Sequence, residues 1–233
     1  MSAKTVQARP GLTNLEVRPV KVPGRTWRRV LWVTVATAGF AALLAWGLFS
    51  GSVAGCERAG TEAAPELRCA FEVAAPRQEV WTAFVATEVP RSYYFDTVLQ
   101  AELEAGGRWR FVTEDRGRLL AAGEIVELEP PARLEMTFAA ADLEDAPSRL
   151  AVALEAVEGG TRVEVTHGAF AGETATFRRF RRAHPLALSA MKSVLETGRL
   201  PLRARIYTAI FKPGMKWTTV RAAPWEARPA PPG

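Results

Sequence analysis

The sequence predicts an α+β domain, an antiparallel sheet covered by one long C-terminal helix, with a single transmembrane helix in front of it. Three observations predict this. Val30 to Cys56 runs 27 residues without a charge. Between Leu67 and His167 apolar residues recur at every second position, in segments separated by Gly, Pro and Asp. Between Glu173 and Thr197 the apolar spacing changes to three and four. A period of two marks half-buried strands and a period near 3.6 marks a helix, so a sheet with one apolar face is followed by its cover.

The uncharged run comes first in the chain. Val30 to Phe49 as a helix is about 30 Å long, enough to cross a bilayer core. Residues 1–29 hold seven Lys/Arg against Glu16, whereas 57–68 hold two Arg against three Glu. Basic flanks resist translocation. The expectation is therefore a basic cytoplasmic segment (1–29), a signal anchor (30–50), a small, polar linker (51–65) and an extracytoplasmic domain in a single-pass membrane protein. Val53-Ala54-Gly55-Cys56 also resembles a bacterial lipobox, and Arg28-Arg29 weakly resembles a twin-arginine signal. The alternative is a lipoprotein anchored at Cys56. The long basic lead and 20-residue apolar core favour an uncleaved anchor.

The formal charge of +5 hides a division. Residues 1–56 are net +6, residues 57–169 carry 11 basic against 21 acidic side chains, and residues 170–233 carry 12 against three. The alkaline pI does not describe a uniformly basic surface, so no nucleic-acid partner is expected. The two cysteines are Cys56 and Cys69. A disulfide is permitted outside the cytoplasm. Cys69, however, alternates with Leu67, Phe71 and Val73, which predicts a buried thiol. No Cys/His spacing suggests zinc.

The elements follow in order. Leu67–Val73 alternates as a strand. Pro76 opens a helix with Val80, Trp81, Phe84 and Val85 at helical spacing. After Pro90 comes an aromatic segment, Tyr93-Tyr94-Phe95. Six strands follow, around 99–103, 109–113, 118–128, 134–138, 150–154 and 163–167, with turns at Ala105-Gly106-Gly107, Asp115-Arg116-Gly117, Pro130-Pro131 and Glu158-Gly159-Gly160. Gly123 inside the third marks a bulge or a close backbone approach. In the last helix Phe177, Phe180, His184, Leu188, Met191 and Leu195 share one stripe, opposite Arg178, Arg179, Arg181 and Arg182. Pro185 is expected to divide it into two helices, and Gly198 to end it.

The residues carry a family resemblance. Phe71-Glu72-Val73-Ala74-Ala75-Pro76 before Val80-Trp81 resembles the opening of START-like (SRPBCC) domains, in the branch named for the activator of the 90-kDa heat shock protein ATPase. Similar matches occur at 106–109, 123–134, 160–167 and 191–198, so the resemblance covers 66–198. It implies a helix-grip fold, in which a curved antiparallel sheet grips the long helix around an apolar cavity. The family often has Gly-Trp where this chain has His184-Pro185, which implies a different cavity wall. Extracytoplasmic placement argues against activation of a cytosolic chaperone.

The cavity implied by this fold is expected to be lined by Trp81, Phe84, Tyr94, Trp109, Phe111, Met136, Phe138, His167, Phe180, His184 and Met191. Such pockets suit a hydrophobic small molecule or a lipid. His167 and His184 fall on inward registers; they suit a proton-transfer pair, a polar head-group contact or a structural role. There is no serine nucleophile motif, phosphate loop or spaced carboxylate pair, so no catalytic residue, cofactor or metal is expected. Glu124, Glu127, Glu135 and Glu164 form an outward acidic face. In the tail, 199–233, Leu202, Ile206 and Ile210 stand at i, i+4, i+8 among Arg203, Arg205 and Lys212, with Trp217 and Trp225 beyond. That segment suits an anionic membrane surface, a protein partner or docking on its own domain. The leading expectation is a membrane-tethered, non-catalytic binder of a hydrophobic molecule. The alternatives are a cyclase/dehydratase-type enzyme using His167 or His184, and a protein-interaction or chaperone-accessory module.

Overall fold

Side chains of alternating polarity sort themselves across a sheet, and here they do so strand by strand. The computed structural model describes residues 56–215 and 218–226. The uncharged run, its basic flank and Trp217 lie outside the described residues, and with them the expected anchor and its orientation. Among the described residues no helix is long and apolar enough to cross a membrane.

The chain runs β1 (Cys56–Gly60), β2 (Pro65–Val73), α1 (Arg77–Val85), β3 (Pro90–Arg91), a 3-10 turn (Ser92–Tyr94), β4 (Thr97–Ala101), β5 (Arg108–Val112), β6 (Arg118–Glu129), β7 (Arg133–Ala140), β8 (Ser148–Val157), β9 (Gly160–Gly168), α2 (Ala175–Thr197), α3 (Leu202–Gly214) and β10 (Val220–Arg221). One antiparallel sheet has the order β1-β2-β9-β8-β7-β6-β5-β4-β3, with β10 added beside β6. The six strands expected between the first helix and the last are β4 to β9. In register, Leu134, Met136 and Phe138 of β7, Leu150 and Val152 of β8 and Val163, Val165 and His167 of β9 are buried, while Arg162 and Glu164 point out. Burying a large apolar side chain contributes about 1.5–3 kcal/mol, so this face holds the domain together.

Gly123 is the expected close approach. It pairs with Trp109, and a Cβ there would lie 2.0 Å from Thr137 O, the carbonyl that accepts a bond from Trp109 Nε1 at 3.1 Å. Bulges near Phe111 and Ile125 interrupt the β5–β6 and β6–β7 ladders and bend β6.

Helix α2 covers the apolar face. Thr174 caps it by accepting from the Phe177 N–H at 3.1 Å, and Gly198 ends it in the left-handed conformation at φ 67°. The expected break at Pro185 does not occur, because α2 is one helix of 23 residues. Proline removes one N–H from the ladder. His184, Leu188 and Met191, all buried beside it, hold the axis continuous.

Three further expectations are corrected. Residues 56–60, assigned to the linker by composition, form β1 and pair with β2. Cys69 is not a free thiol: it faces Cys56 across the β1–β2 ladder and is bonded to it. The tail also folds otherwise than its Leu202, Ile206, Ile210 spacing suggests. Leu202 and Ile210 are 62% and 67% exposed, and α3 turns Ala204, Tyr207 and Phe211 inward instead. Two aromatic rings bury more apolar area than the aliphatic stripe, and that difference sets the helix's rotation.

Beyond α3 the chain returns to the sheet. Lys212 pairs with Asp96 and Glu114, Arg118 Nε donates to Thr219 Oγ1, and the Arg110 guanidinium lies 4.8 Å from the Trp225 ring while donating to Ala223 O. The C-terminal part thus lies along the sheet, with Lys212 meeting two acidic side chains of the middle and two arginines of the middle binding neutral oxygens of the tail.

Candidate functional site

A cavity of about 390 Å³ lies between the sheet, the first half of α2 and α3. The space arises where inward positions are small. Ala121 and Ala140 are direct partners across β6 and β7, and nothing from the sheet fills the volume above them. Phe111, Leu120, Phe138 and Phe180 wall it, and Phe95, Tyr207 and Phe211 form a cluster of rings 5.1–5.6 Å apart at its outer side. Arg178, Arg179 and Arg182 stand at the rim. Arg179 is engaged by Asp142 through two bonds of 2.7 Å.

A second cavity, about 50 Å³, lies deeper, between α1, α2 and strands β7 to β9. Phe84, Tyr93, Leu134, Met136, His184 and Met191 line it, and Tyr94 and Phe111 belong to the walls of both cavities. Tyr94 is pushed up to about 12 by burial, so its phenol stays protonated.

Arg91 also lines the small cavity. It is only 5% exposed. Its Nη1 donates to Phe84 O at 3.2 Å and its guanidinium lies 5.0 Å from the Phe111 ring centre. Nε and Nη2 are buried without a hydrogen-bond partner. Burial lowers its pKa, and among the described residues the phenols of Tyr93 and Tyr94 oppose that.

The two histidines meet beside this cavity. His167 Nδ1 is 3.0 Å from His184 Nε2, and His167 Nε2 is 2.8 Å from Ser148 Oγ. Ser148 also donates to Phe138 O, a carbonyl that can only accept. His167 Nε2–H therefore donates to Ser148, and His184 Nε2–H donates to His167 Nδ1. Burial lowers both imidazoles, His184 to about 4 and His167 well below its ordinary range, with the neighbouring His184 adding to the effect on His167. Both are neutral at pH 7. His167 is fully enclosed with both ring nitrogens engaged, which suits a core tie between sheet and helix.

Residues 74–196 match the family described as activator of Hsp90 ATPase homolog 1-like protein. The chain belongs to that family. No curated protein is significantly similar to it in sequence. Among solved structures, a conserved protein of unknown function from Enterococcus faecalis shares the fold, with a TM-score of 0.52, 13% identity and coverage of 73% of this chain and 96% of that one. CalU16 from Micromonospora echinospora (TM-score 0.49, 23% identity, 70% and 95% covered) and the Aha1 dimer from Colwellia psychrerythraea (0.48, 17%, 57% and 98%) are also similar. The match to the activator-homologue family contains every wall of the small cavity. It leaves out Tyr207, Phe211 and Thr218, which close the larger one.

Within this activator-homologue domain the residues expected to line one cavity divide between two. Phe84, Met136, His184 and Met191 line the small space, Phe138 and Phe180 the large one, and Tyr94 and Phe111 both. Trp81, Trp109 and His167 line neither and are core. Sequence reasoning missed Arg91, Ser148, Tyr207 and Phe211. The aromatic segment after Pro90 drew attention to the neighbourhood of Arg91, and Ser148 stands on the inward register of β8. For Tyr207 and Phe211 the i, i+4 spacing was visible, but the aliphatic stripe masked it.

Proposed function

We propose that this protein is a membrane-tethered domain that holds a hydrophobic small molecule or lipid without transforming it. The observation that carries the reading is the 390 Å³ cavity, walled by aromatic rings and rimmed by arginines. Apolar pockets with few polar groups are the usual form of small-molecule sites. Membership of the family supports a ligand-binding or accessory domain. Two features favour holding over turnover. His167 is sealed and neutral, and among the described residues no carboxylate is bonded to either histidine. Tethering outside the cytoplasm is supported by the uncharged run Val30–Cys56 and by the Cys56–Cys69 disulfide, which suits an oxidising compartment.

The test uses the full chain in nanodiscs and the neutral apolar fluorophore N-phenyl-1-naphthylamine. Saturable binding is expected, abolished by Ala183→Trp, which fills the large cavity from α2. Absence of binding, or binding unaffected by that substitution, overturns the reading. An alkaline phosphatase reporter fused after Gly233 is expected to be active; activity of a cytoplasm-only reporter there overturns the placement.

A further inference from the structure

The unpartnered atoms of Arg91 specify the ligand further. An unpaired buried cation is strongly unfavourable unless a partner reaches it. Among the described residues no acidic side chain does so: Phe84 O takes one N–H, Phe111 covers one face, and Nε and Nη2 have no hydrogen-bond partner in the interior. These two atoms share one edge of the guanidinium, the edge that presents two parallel N–H groups to a planar carboxylate. The space beside Arg91 is about 50 Å³, room for a few atoms. That suits a flat acid group better than a tetrahedral phosphate. Its remaining walls are apolar apart from three polar groups: His184, whose Nε2–H is already given to His167, Tyr93, whose hydroxyl donates to Ala83 O, and the neutral phenol of Tyr94.

We propose that the ligand carries a carboxylate, and that this acid docks against Nε and Nη2 of Arg91 while its apolar body passes Tyr94 and Phe111 into the larger cavity. The assignment rests on the ligand-binding reading above and deepens it. Each cavity supplies what the other lacks: the large one has apolar volume, and the small one has a fixed, desolvated cation. The rim arginines offer a competing place for an acid. Arg179, however, is taken by Asp142, and Arg178 bonds to Glu173 O.

The experiment compares decanoate with decan-1-ol on the full chain in nanodiscs, by displacement of N-phenyl-1-naphthylamine. Decanoate is expected to bind at least tenfold more tightly than the alcohol. Arg91→Gln and Arg91→Met are expected to erase that preference while leaving the alcohol and the fluorophore unchanged. Arg91→Met is also expected to raise the melting temperature of the unliganded protein, since it removes an unpaired buried charge. Equal affinities for acid and alcohol overturn the carboxylate assignment while leaving the cavity reading intact. A preference that survives Arg91→Met but is lost in Arg182→Gln places the acid at the rim and likewise overturns it. If neither compound nor the fluorophore binds, the underlying cavity reading falls first.

Discussion

His167 and His184 reach the same point from opposite layers, one from β9 and one from α2, and their protonation couples the fold to pH. Both have folded pKa values below the unfolded value near 6.5, with His184 at about 4. The unfolded chain therefore binds more protons than the native one as pH falls through this window. Stability is at its full value above about 6.5 and declines towards 4. For His184 alone the loss is about 3 kcal/mol, at roughly 1.4 kcal/mol per unit. Urea unfolding at pH 7 and pH 4.5 is expected to show this drop, and the imidazole NMR signals are expected not to titrate above pH 5. Ordinary titration of both rings near 6.5 would contradict the buried, neutral arrangement. Arg91 poses the opposite problem at this scale, since it keeps its charge while its Nε and Nη2 lack a partner. Losing the partner of a buried charge typically costs 3–5 kcal/mol.

Helix α3 shows how an element outside the family match completes the site. Its rings at Tyr207 and Phe211 stack on each other and lie tilted against Phe95, whose backbone is left-handed at φ 61°. The helix is then held at its far end by Lys212 with Asp96 and Glu114, and beyond it by β10 along β6. The exposed ion pairs contribute little each, about 0–1 kcal/mol, so the aromatic cluster is the main attachment. The double substitution Tyr207→Ala, Phe211→Ala is expected to destabilise the protein by several kcal/mol, since each large-to-small change in packed surroundings costs about 3–5 kcal/mol when fully buried and less here. It is also expected to weaken N-phenyl-1-naphthylamine binding at least tenfold. Chemical unfolding and fluorescence titration read the two effects separately. Retained affinity would mean that α3 is not a wall of the occupied cavity.

At the scale of the whole molecule, the sheet and its long helix were legible because burial follows period directly. Alternation at 67–73, 134–138 and 163–167 maps one to one onto the inward face, and Gly198 stops α2 as glycine chemistry requires. Features set by tertiary competition were not legible. Pro185 stays inside a helix because buried neighbours on both sides outweigh one lost hydrogen bond. α3 rotates away from its aliphatic stripe because two rings outcompete it. Arg91 looks like a polar turn residue after Pro90, and only the fold sets its guanidinium over the Phe111 ring. The single expected cavity became two because Tyr94 and Phe111, 5.2 Å apart, stand between the spaces. The charge division resolves into basic C-terminal side chains meeting acidic ones of the middle, Lys212 with Asp96 and Glu114 and Arg179 with Asp142.

The bond between Cys56 and Cys69 also has a mechanical meaning. Tension arriving from residues ahead of Cys56 crosses at the sulfur atoms and enters β2 at Cys69, midway along the strand next to the edge. The twelve residues between them, 57–68, carry no load, and the β1–β2 ladder cannot be unzipped from that end. Reduction moves the point of attack to β1, an edge strand that peels bond by bond. In single-molecule pulling from the N-terminal side, reductant is therefore expected to lower the unfolding force and to lengthen the released chain by about 40 Å, at roughly 3.5 Å per residue. Unchanged force and length on reduction would show that the load already enters elsewhere.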